Sequence, residues 1–185
     1  MNTANKLTLL RVFLVPVFMA FLMLEGTLFK TLALVVFTIA SITDALDGYI
    51  ARSRNQITTF GKFVDPLADK VLTTTAFLCF LVLEVYNPIS GLIALTIILT
   101  REFAVSGVRL VAVGEGKVIA ASIWGKAKTV SQMLAIIVAL IFLAFCPQAI
   151  FISTVNEILL WITVILTIIS GAEYIINCKD FIKLK

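Results

Sequence analysis

The sequence predicts an all-α polytopic membrane protein with six transmembrane helices, in a single domain that covers residues 1–185. Hydrophobic residues make up 61% of the chain and charged residues only 14%, which is far more apolar than ordinary soluble domains. Six apolar stretches reach the roughly 20 residues that a helix needs to cross the hydrocarbon core of a bilayer. Basic residues gather at alternate turns between these stretches, a pattern that orients membrane helices.

The six helices follow one another with short connections, so neighbouring helices are expected to be antiparallel. We place them at residues 7–24, 29–52, 62–84, 89–113, 121–145 and 154–177. The first apolar stretch lacks the small-residue cleavage site of a signal peptide and is therefore expected to be a retained span. The later helices carry charges, among them Asp44 in the second, Asp69 in the third, Arg101 in the fourth, Lys128 in the fifth and Glu173 in the sixth.

The basic residues favour one orientation, with both termini on the cytoplasmic side of the cell membrane. The basic residues expected on the cytoplasmic side are Lys6, Arg11, Arg52, Arg54, Lys62, Lys117, Lys126, Lys128, Lys179, Lys183 and Lys185. The opposite turns contain one basic residue, Lys30. The net charge of +4 does not predict nucleic-acid binding, because the basic residues flank apolar spans and no nucleic-acid motif is present.

The absence of histidine narrows the possible chemistry, since it excludes histidine-based triads, histidine general bases and histidine-ligated zinc. A proton transfer must then use a carboxylate, lysine, tyrosine or cysteine. The three cysteines, Cys79, Cys146 and Cys178, are widely separated and lack the spacing of a metal site. We interpret Cys79 as a packing residue, so the carboxylates become the main candidates.

Four aspartates, here called the signature aspartates, form two pairs on consecutive predicted helices. Asp44 and Asp47 are three residues apart, and Asp65 and Asp69 are four apart, so each pair shares one helix face. Both pairs lie near the cytoplasmic ends of antiparallel helices. We therefore expect them to face each other across a cleft.

Four carboxylates in one cleft repel one another, and ionisable groups at membrane depth are usually functional. Oxygen-ligated divalent cations would balance this charge, and the lack of nearby histidine or cysteine favours Mg²⁺ or Mn²⁺ over zinc. A pair of such ions can hold a phosphate during in-line displacement. The alternative is that the aspartates cap helices. It suits Asp65, but Asp44 and Asp47 approach a helix C-terminus, where negative charge is unfavourable.

The acidic stretch reads Asp44-x2-Asp47-Gly48-x2-Ala51-Arg52-x8-Gly61-x3-Asp65-x3-Asp69. It resembles the signature of the CDP-alcohol phosphotransferase family at every fixed position. The resemblance implies a six-helix membrane fold, usually homodimeric, with two divalent ions (Mg²⁺ or Mn²⁺) held by the signature aspartates. It further implies that Asp44, Gly48, Arg52 and Gly61 bind the cytidine diphosphate group, and that Asp69 takes the proton of the acceptor hydroxyl.

Four basic residues, here called the acceptor cations, predict which alcohol is used: Arg101, Arg109, Lys126 and Lys128. The segments Asn5–Arg11, Arg101–Phe103 and Gly125–Thr129 resemble the branch of the family that transfers a phosphatidyl group from CDP-diacylglycerol to glycerol 3-phosphate. Independently, Arg101 and Arg109 are eight residues apart and share a helix face. Cations grouped near the cleft would suit an acceptor that carries its own phosphate.

Other readings stay open at this point. Lys126 and Lys128 also fit positive-inside anchors, Arg101 a partner of Glu102 or of a carboxylate on another helix, and Arg109 a side chain that snorkels to the interface. Glu173 is a possible partner for one of these cations. The same chemistry would also suit serine, inositol phosphate or a second lipid as acceptor. A cation transporter is the rival from another class, although its site would be expected near the bilayer midplane.

Overall fold

A computed structural model describes residues 3–53, 59–114, 122–146 and 151–177 of the chain. Within these ranges, the description of side chains leaves out residues 3–8, 44–53, 59–69, 110–111, 113–114 and 177. The described residues form six helices: α1 (Thr3–Met23), α2 (Thr27–Ser53), α3 (Thr59–Val82), α4 (Pro88–Gly114), α5 (Ile123–Phe145) and α6 (Ile152–Asn177). The predicted all-α architecture is confirmed, with helix ends that lie within a few residues of the predicted ones.

In the part of the chain that the structure describes, three of the helices contain stretches that are long and apolar enough to cross a membrane. These stretches are Pro88–Arg109, Ile123–Phe145 and Ile152–Ile176. The first three helices contain shorter apolar stretches within the described residues, namely Leu9–Met23, Thr27–Thr43 and Lys70–Val82. This distribution is that of an integral membrane protein with several apolar helices.

Among the described residues, a left-handed backbone occurs at two positions, one in the turn between α1 and α2 and one in the turn between α3 and α4. Gly26 has a φ of 106° between α1 and α2, a conformation that glycine adopts without a steric penalty. Glu84 has a φ of 53° just after α3. The N–H of the following residue, Val85, donates to the carbonyl oxygen of Phe80 at 3.0 Å, which closes the last turn of α3 as a Schellman-type cap.

The chain divides into two compact units. The first contains Met1–Val85 and Ile136–Ile152, and the second contains Tyr86–Ala135 and Ser153–Lys185. The first unit therefore holds the signature aspartates, and the second holds the acceptor cations. The single domain expected from the sequence stays a prediction.

In the first unit, α1 packs against both α2 and α3. Phe18 of α1 and Phe37 of α2 are fully buried, and their ring centroids are 5.5 Å apart. Leu72 and Phe80 of α3 are also buried. Apolar side chains of this kind fix the positions of the two helices that carry the signature aspartates.

In the second unit, a polar cluster ties the start of α4 to the start of α6. The carboxylate of Glu157 accepts hydrogen bonds from the backbone N–H of Asn87 at 3.3 Å and from the indole N–H of Trp161 at 3.3 Å. It also accepts a hydrogen bond from the hydroxyl group of Ser90. Farther along α6, Thr163 Oγ1 lies 2.8 Å from Ser131 Oγ of α5. These bonds tie α4 and α5, which carry the acceptor cations, to α6.

Candidate active site

The backbone places the signature aspartates where the sequence predicts them, on two consecutive helices. Asp44 and Asp47 belong to α2, and Asp65 and Asp69 belong to α3. Because both segments are helical, the spacings of three and four residues put each pair on one face of its helix. The aspartate side chains lie outside the described residues, so their predicted roles as metal ligands stay predictions.

The other predicted residues of the nucleotide site share these two helices. Gly48 and Arg52 lie in the last two turns of α2, and Gly61 lies in the first turn of α3. Their side-chain surroundings are also outside the described residues. The helix assignment nevertheless places every fixed residue of the signature on α2 or α3, both in the first unit.

The donor set on these helices fits hard divalent cations. All four acidic residues are aspartates, whose carboxylate oxygens are the ligands that Mg²⁺ and Mn²⁺ prefer. Helical spacing lets both members of a pair point toward one ion. The residues present are therefore chemically suited to the metals that the resemblance implies.

A buried cation on α1 was not anticipated from the sequence. Arg11 is 0% exposed, although its position suggested a charge that orients the helix at the membrane surface. A buried guanidinium requires anionic or hydrogen-bonding partners, since the cost of removing it from water is several kcal/mol. The sequence feature that could have indicated a role for Arg11 is its position in the segment Asn5–Arg11, which resembles a segment of the family. Arg11 thus belongs to the interior of the unit that carries the signature aspartates.

Two of the acceptor cations share a single carboxylate in the second unit. Lys128 of α5 is 2% exposed and forms an ion pair with Oε1 of Glu102 on α4. Arg101 Nη1 lies 3.9 Å from the same oxygen. The proposed alternative that Arg101 pairs with Glu102 is thus present in the structure, and Lys128 is the closer partner. Lys126, by contrast, is exposed.

The side chain of Arg101 runs between two glycines. A Cβ atom added at Gly171 of α6 would lie 3.1 Å from Arg101 Cγ, closer than ordinary van der Waals contact. A Cβ atom added at Gly125 of α5 would lie 3.9 Å from Arg101 Nη2. In the part of the chain that the structure describes, the buried Nε of Arg101 has no hydrogen-bond partner. Neither glycine was singled out for this role by the sequence, because the contact depends on how three helices pack.

Arg109 lies farther along α4 and makes a different contact. Its guanidinium carbon is 5.9 Å from the centroid of the Tyr174 ring, within the range of a cation–π interaction. The neighbouring Glu173 pairs with none of the acceptor cations among the described residues, and its Oε2 is buried without a hydrogen-bond partner there. Arg109 is exposed, so its guanidinium can contact an anionic ligand.

Comparison with known proteins places this arrangement in a family. A family model described as CDP-alcohol phosphatidyltransferase matches residues 1–169. The chain belongs to this family. The resemblance that the spacing of the signature aspartates suggested is thereby confirmed.

Several curated members of the CDP-alcohol phosphatidyltransferase family are similar to the chain over nearly its whole length. The CDP-diacylglycerol–glycerol-3-phosphate 3-phosphatidyltransferase of Bacillus subtilis (strain 168) is 39% identical, covering 94% of this chain and 93% of the relative. The protein of the same name from Rickettsia typhi is 38% identical, covering 97% of this chain and 98% of the relative. The one from Shigella flexneri is 36% identical, covering 94% and 93%. All three names are those of the branch expected from the sequence.

Proposed function

We propose that the protein transfers the phosphatidyl group of CDP-diacylglycerol to glycerol 3-phosphate, giving phosphatidylglycerophosphate and CMP in phospholipid biosynthesis. The observation that carries this proposal is the complete aspartate signature on two consecutive helices. Full-length similarity to relatives named for this reaction supports the choice of substrates. The protein is thus proposed to be a phosphatidylglycerophosphate synthase.

In the proposed reaction, a hydroxyl oxygen of glycerol 3-phosphate attacks the phosphorus that carries the diacylglycerol. The bond from this phosphorus to the oxygen that bridges the two phosphates breaks, and CMP leaves with that oxygen. Asp69 accepts the proton of the attacking hydroxyl. A carboxylate suits this role in a chain without histidine, since general bases contribute about a hundredfold or more to such steps.

The donor site is proposed to lie on α2 and α3. Asp44, together with Gly48, Arg52 and Gly61, would hold the cytidine diphosphate group, because glycine allows close approach of the backbone and arginine binds phosphate oxygens. The signature aspartates would hold two divalent ions, Mg²⁺ or Mn²⁺. When bound, such ions neutralise charge on the phosphate oxygens during displacement.

The acceptor cations are proposed to bind the phosphate of glycerol 3-phosphate. Arg101, Lys126 and Lys128 carry three positive charges, and Glu102 is the carboxylate paired with two of them. Lys126 and Lys128 also lie in the first turns of α5, where the helix dipole adds a positive partial charge. This excess of positive charge favours an anionic acceptor over serine or glycerol.

The orientation, the assembly and the surroundings are part of the same proposal. Both termini and the active site are proposed to lie at the cytoplasmic face, where a soluble acceptor would arrive, and the distribution of the basic residues supports this orientation. The lipid donor reaches the site from the membrane, and the surrounding lipids contact the apolar faces of the helices. A homodimer is proposed from the family resemblance.

The test is an acceptor panel. The purified protein in detergent micelles is given CDP-diacylglycerol with Mg²⁺, and CMP release is measured with glycerol 3-phosphate, glycerol, serine and inositol phosphate. We expect glycerol 3-phosphate to be the best acceptor and glycerol a very poor one. If serine or inositol phosphate supports faster release, the acceptor assignment is wrong although the aspartate chemistry stands. No release with any of the four would contradict the proposed reaction.

The proposed acceptor site makes a separate prediction for Arg109→Ala. Hydrogen bonds to charged groups contribute about 1.5–3 kcal/mol, so the KM for glycerol 3-phosphate should rise roughly ten- to a hundredfold. The KM for CDP-diacylglycerol should stay nearly unchanged. Lys30→Ala is the matched control, because it also removes one positive charge but from the opposite turn. Equal effects of Arg109→Ala on both substrates would remove Arg109 from the acceptor site.

A further inference from the structure

We propose that Glu102 and Gly171 are positioning residues that fix the guanidinium of Arg101 and thereby set the affinity for the acceptor phosphate. This inference rests on the proposed function, since it concerns how one of the same acceptor cations is positioned. Neither residue is expected to touch the reacting atoms. Both act through Arg101, one by charge and the other by space.

The charge argument begins with the burial of Lys128. Its side chain is 2% exposed and pairs with Glu102, whose own side chain is 17% exposed. A buried ammonium requires an anionic partner, because removing it from water is costly. Glu102 supplies such a partner for Lys128. Arg101 lies 3.9 Å from the same oxygen, at the outer limit of an ion pair, and so keeps hydrogen-bond donors for another anion.

The space argument concerns Gly171, which lies inside α6. Glycine within a helix is destabilising relative to alanine, so its presence here requires a reason. The 3.1 Å separation between an added Cβ and Arg101 Cγ supplies one. Because Cγ is close to the backbone of α4, it cannot swing aside as the tip of a long side chain would. An alanine at this position would therefore move the whole guanidinium.

Together the two contacts give Arg101 one defined path between α5 and α6. Glu102 attracts the guanidinium on one side, and Gly171 leaves the room through which its stem passes. Arginine binds phosphate best with two parallel hydrogen bonds, which require a fixed orientation of its plane. A displacement of about 1 Å is enough to weaken such binding strongly. Gly171 and Glu102 are thus specificity-determining for a phosphorylated acceptor.

The glycine is tested by Gly171→Ala, with Gly107→Ala as its matched control. Gly107 lies in α4, and an added Cβ there meets no atom within 4 Å. The kcat and the KM values of both substrates are measured for the purified proteins, together with their melting temperatures. We expect Gly171→Ala to raise the KM for glycerol 3-phosphate about tenfold, the loss of about one charge-assisted hydrogen bond, while kcat and the KM for CDP-diacylglycerol stay within twofold. Gly107→Ala should leave kcat and both KM values unchanged and should raise the melting temperature slightly, because alanine favours a helix over glycine.

The carboxylate is tested by comparing Glu102→Gln with Glu102→Asp. The glutamine variant keeps the shape but loses the charge, so it should raise the KM for glycerol 3-phosphate at least fivefold and lower the melting temperature. The aspartate variant keeps the charge and should recover most of the KM. Where the glutamine variant does not fold, the result for Gly171→Ala decides.

The inference is overturned if Gly171→Ala leaves the KM for glycerol 3-phosphate within twofold of the unmutated value, or raises both KM values equally. A KM that follows the melting temperature across all four variants would equally reduce both residues to a structural role. These results would leave the proposed function intact, because that function is judged by the acceptor panel on the unmutated protein.

Discussion

For some residues of this protein, spacing along the chain predicts their chemical role, whereas for others it does not predict their contacts. The signature aspartates are recognisable because their chemistry depends on helical spacings of three and four residues, which are visible in the sequence. The ion pair between Glu102 and Lys128 is not, since it joins two helices and depends on their rotation about their own axes. The same reason explains why the burial of Arg11 was not predicted.

Asp69→Asn tests the proposed base at this scale. The amide keeps the shape of the carboxylate but cannot accept the proton, so kcat should fall about a hundredfold or more. The loss will be larger if Asp69 also binds a metal ion. The measurement is CMP release at saturating concentrations of both substrates, with the melting temperature as a check on folding. Near-normal turnover of the folded variant would assign the proton transfer to another group.

At the scale of helices and turns, most of the fold was predictable because each helix is an apolar stretch bounded by polar residues. The predicted ends of α4 and α6 differ from the observed ends by no more than two residues. The end of α3 was less predictable: it was expected at residue 84, but the helix ends at Val82. Glu84 adopts a left-handed backbone there, and nothing in a glutamate signals that conformation.

The two left-handed turns give a paired prediction about stability. A left-handed conformation costs about 1–2 kcal/mol for residues with a side chain, so Glu84→Gly should stabilise the protein by about 0.5–1 kcal/mol after the extra entropy of the unfolded glycine is subtracted. Gly26→Ala, with a φ of 106°, should destabilise it by about 1–2 kcal/mol. Melting in detergent measures both, at roughly 2–4 °C per kcal/mol for this size.

Glu84→Ala is the control for this pair, since it removes the charge but keeps a side chain in the left-handed turn. It should not raise the melting temperature. If Glu84→Ala stabilises the protein as much as Glu84→Gly does, the charge of Glu84 and not its backbone conformation is responsible.

At the scale of the whole molecule, large apolar side chains face outward along the helices. Phe13, Val82 and Ile123 are 71%, 72% and 82% exposed, and similar residues occur on the other helices. Water would penalise such a surface, whereas lipid chains match it. The sequence predicted this from composition and from the length of its apolar stretches. It did not predict that the chain would divide into two compact units, because the amino-acid composition does not change where one unit ends and the other begins.

Charge balance over the first unit leads to a prediction about metal removal. If the four signature aspartates of α2 and α3 meet in one cleft, as the sequence predicts, they repel one another unless cations lie between them. If divalent ions supply that charge, they bind the folded protein more tightly than the unfolded chain and stabilise it. Metal removal should therefore change stability as well as activity, and the two effects can be measured separately.

Activity should vanish in excess chelator and return when Mg²⁺ or Mn²⁺ is added above the chelator concentration. Calcium should restore it poorly, because Ca²⁺ forms longer bonds, of about 2.3–2.6 Å, in a looser geometry than Mg²⁺ accepts. The melting temperature, measured without either substrate, should rise with Mg²⁺ concentration in the unmutated protein. Asp47→Asn is the matched variant: it removes one proposed ligand, so the same rise should require more Mg²⁺. Full activity in excess chelator would rule out metal-dependent transfer, and an unchanged Mg²⁺ response in Asp47→Asn would remove that residue from the metal site.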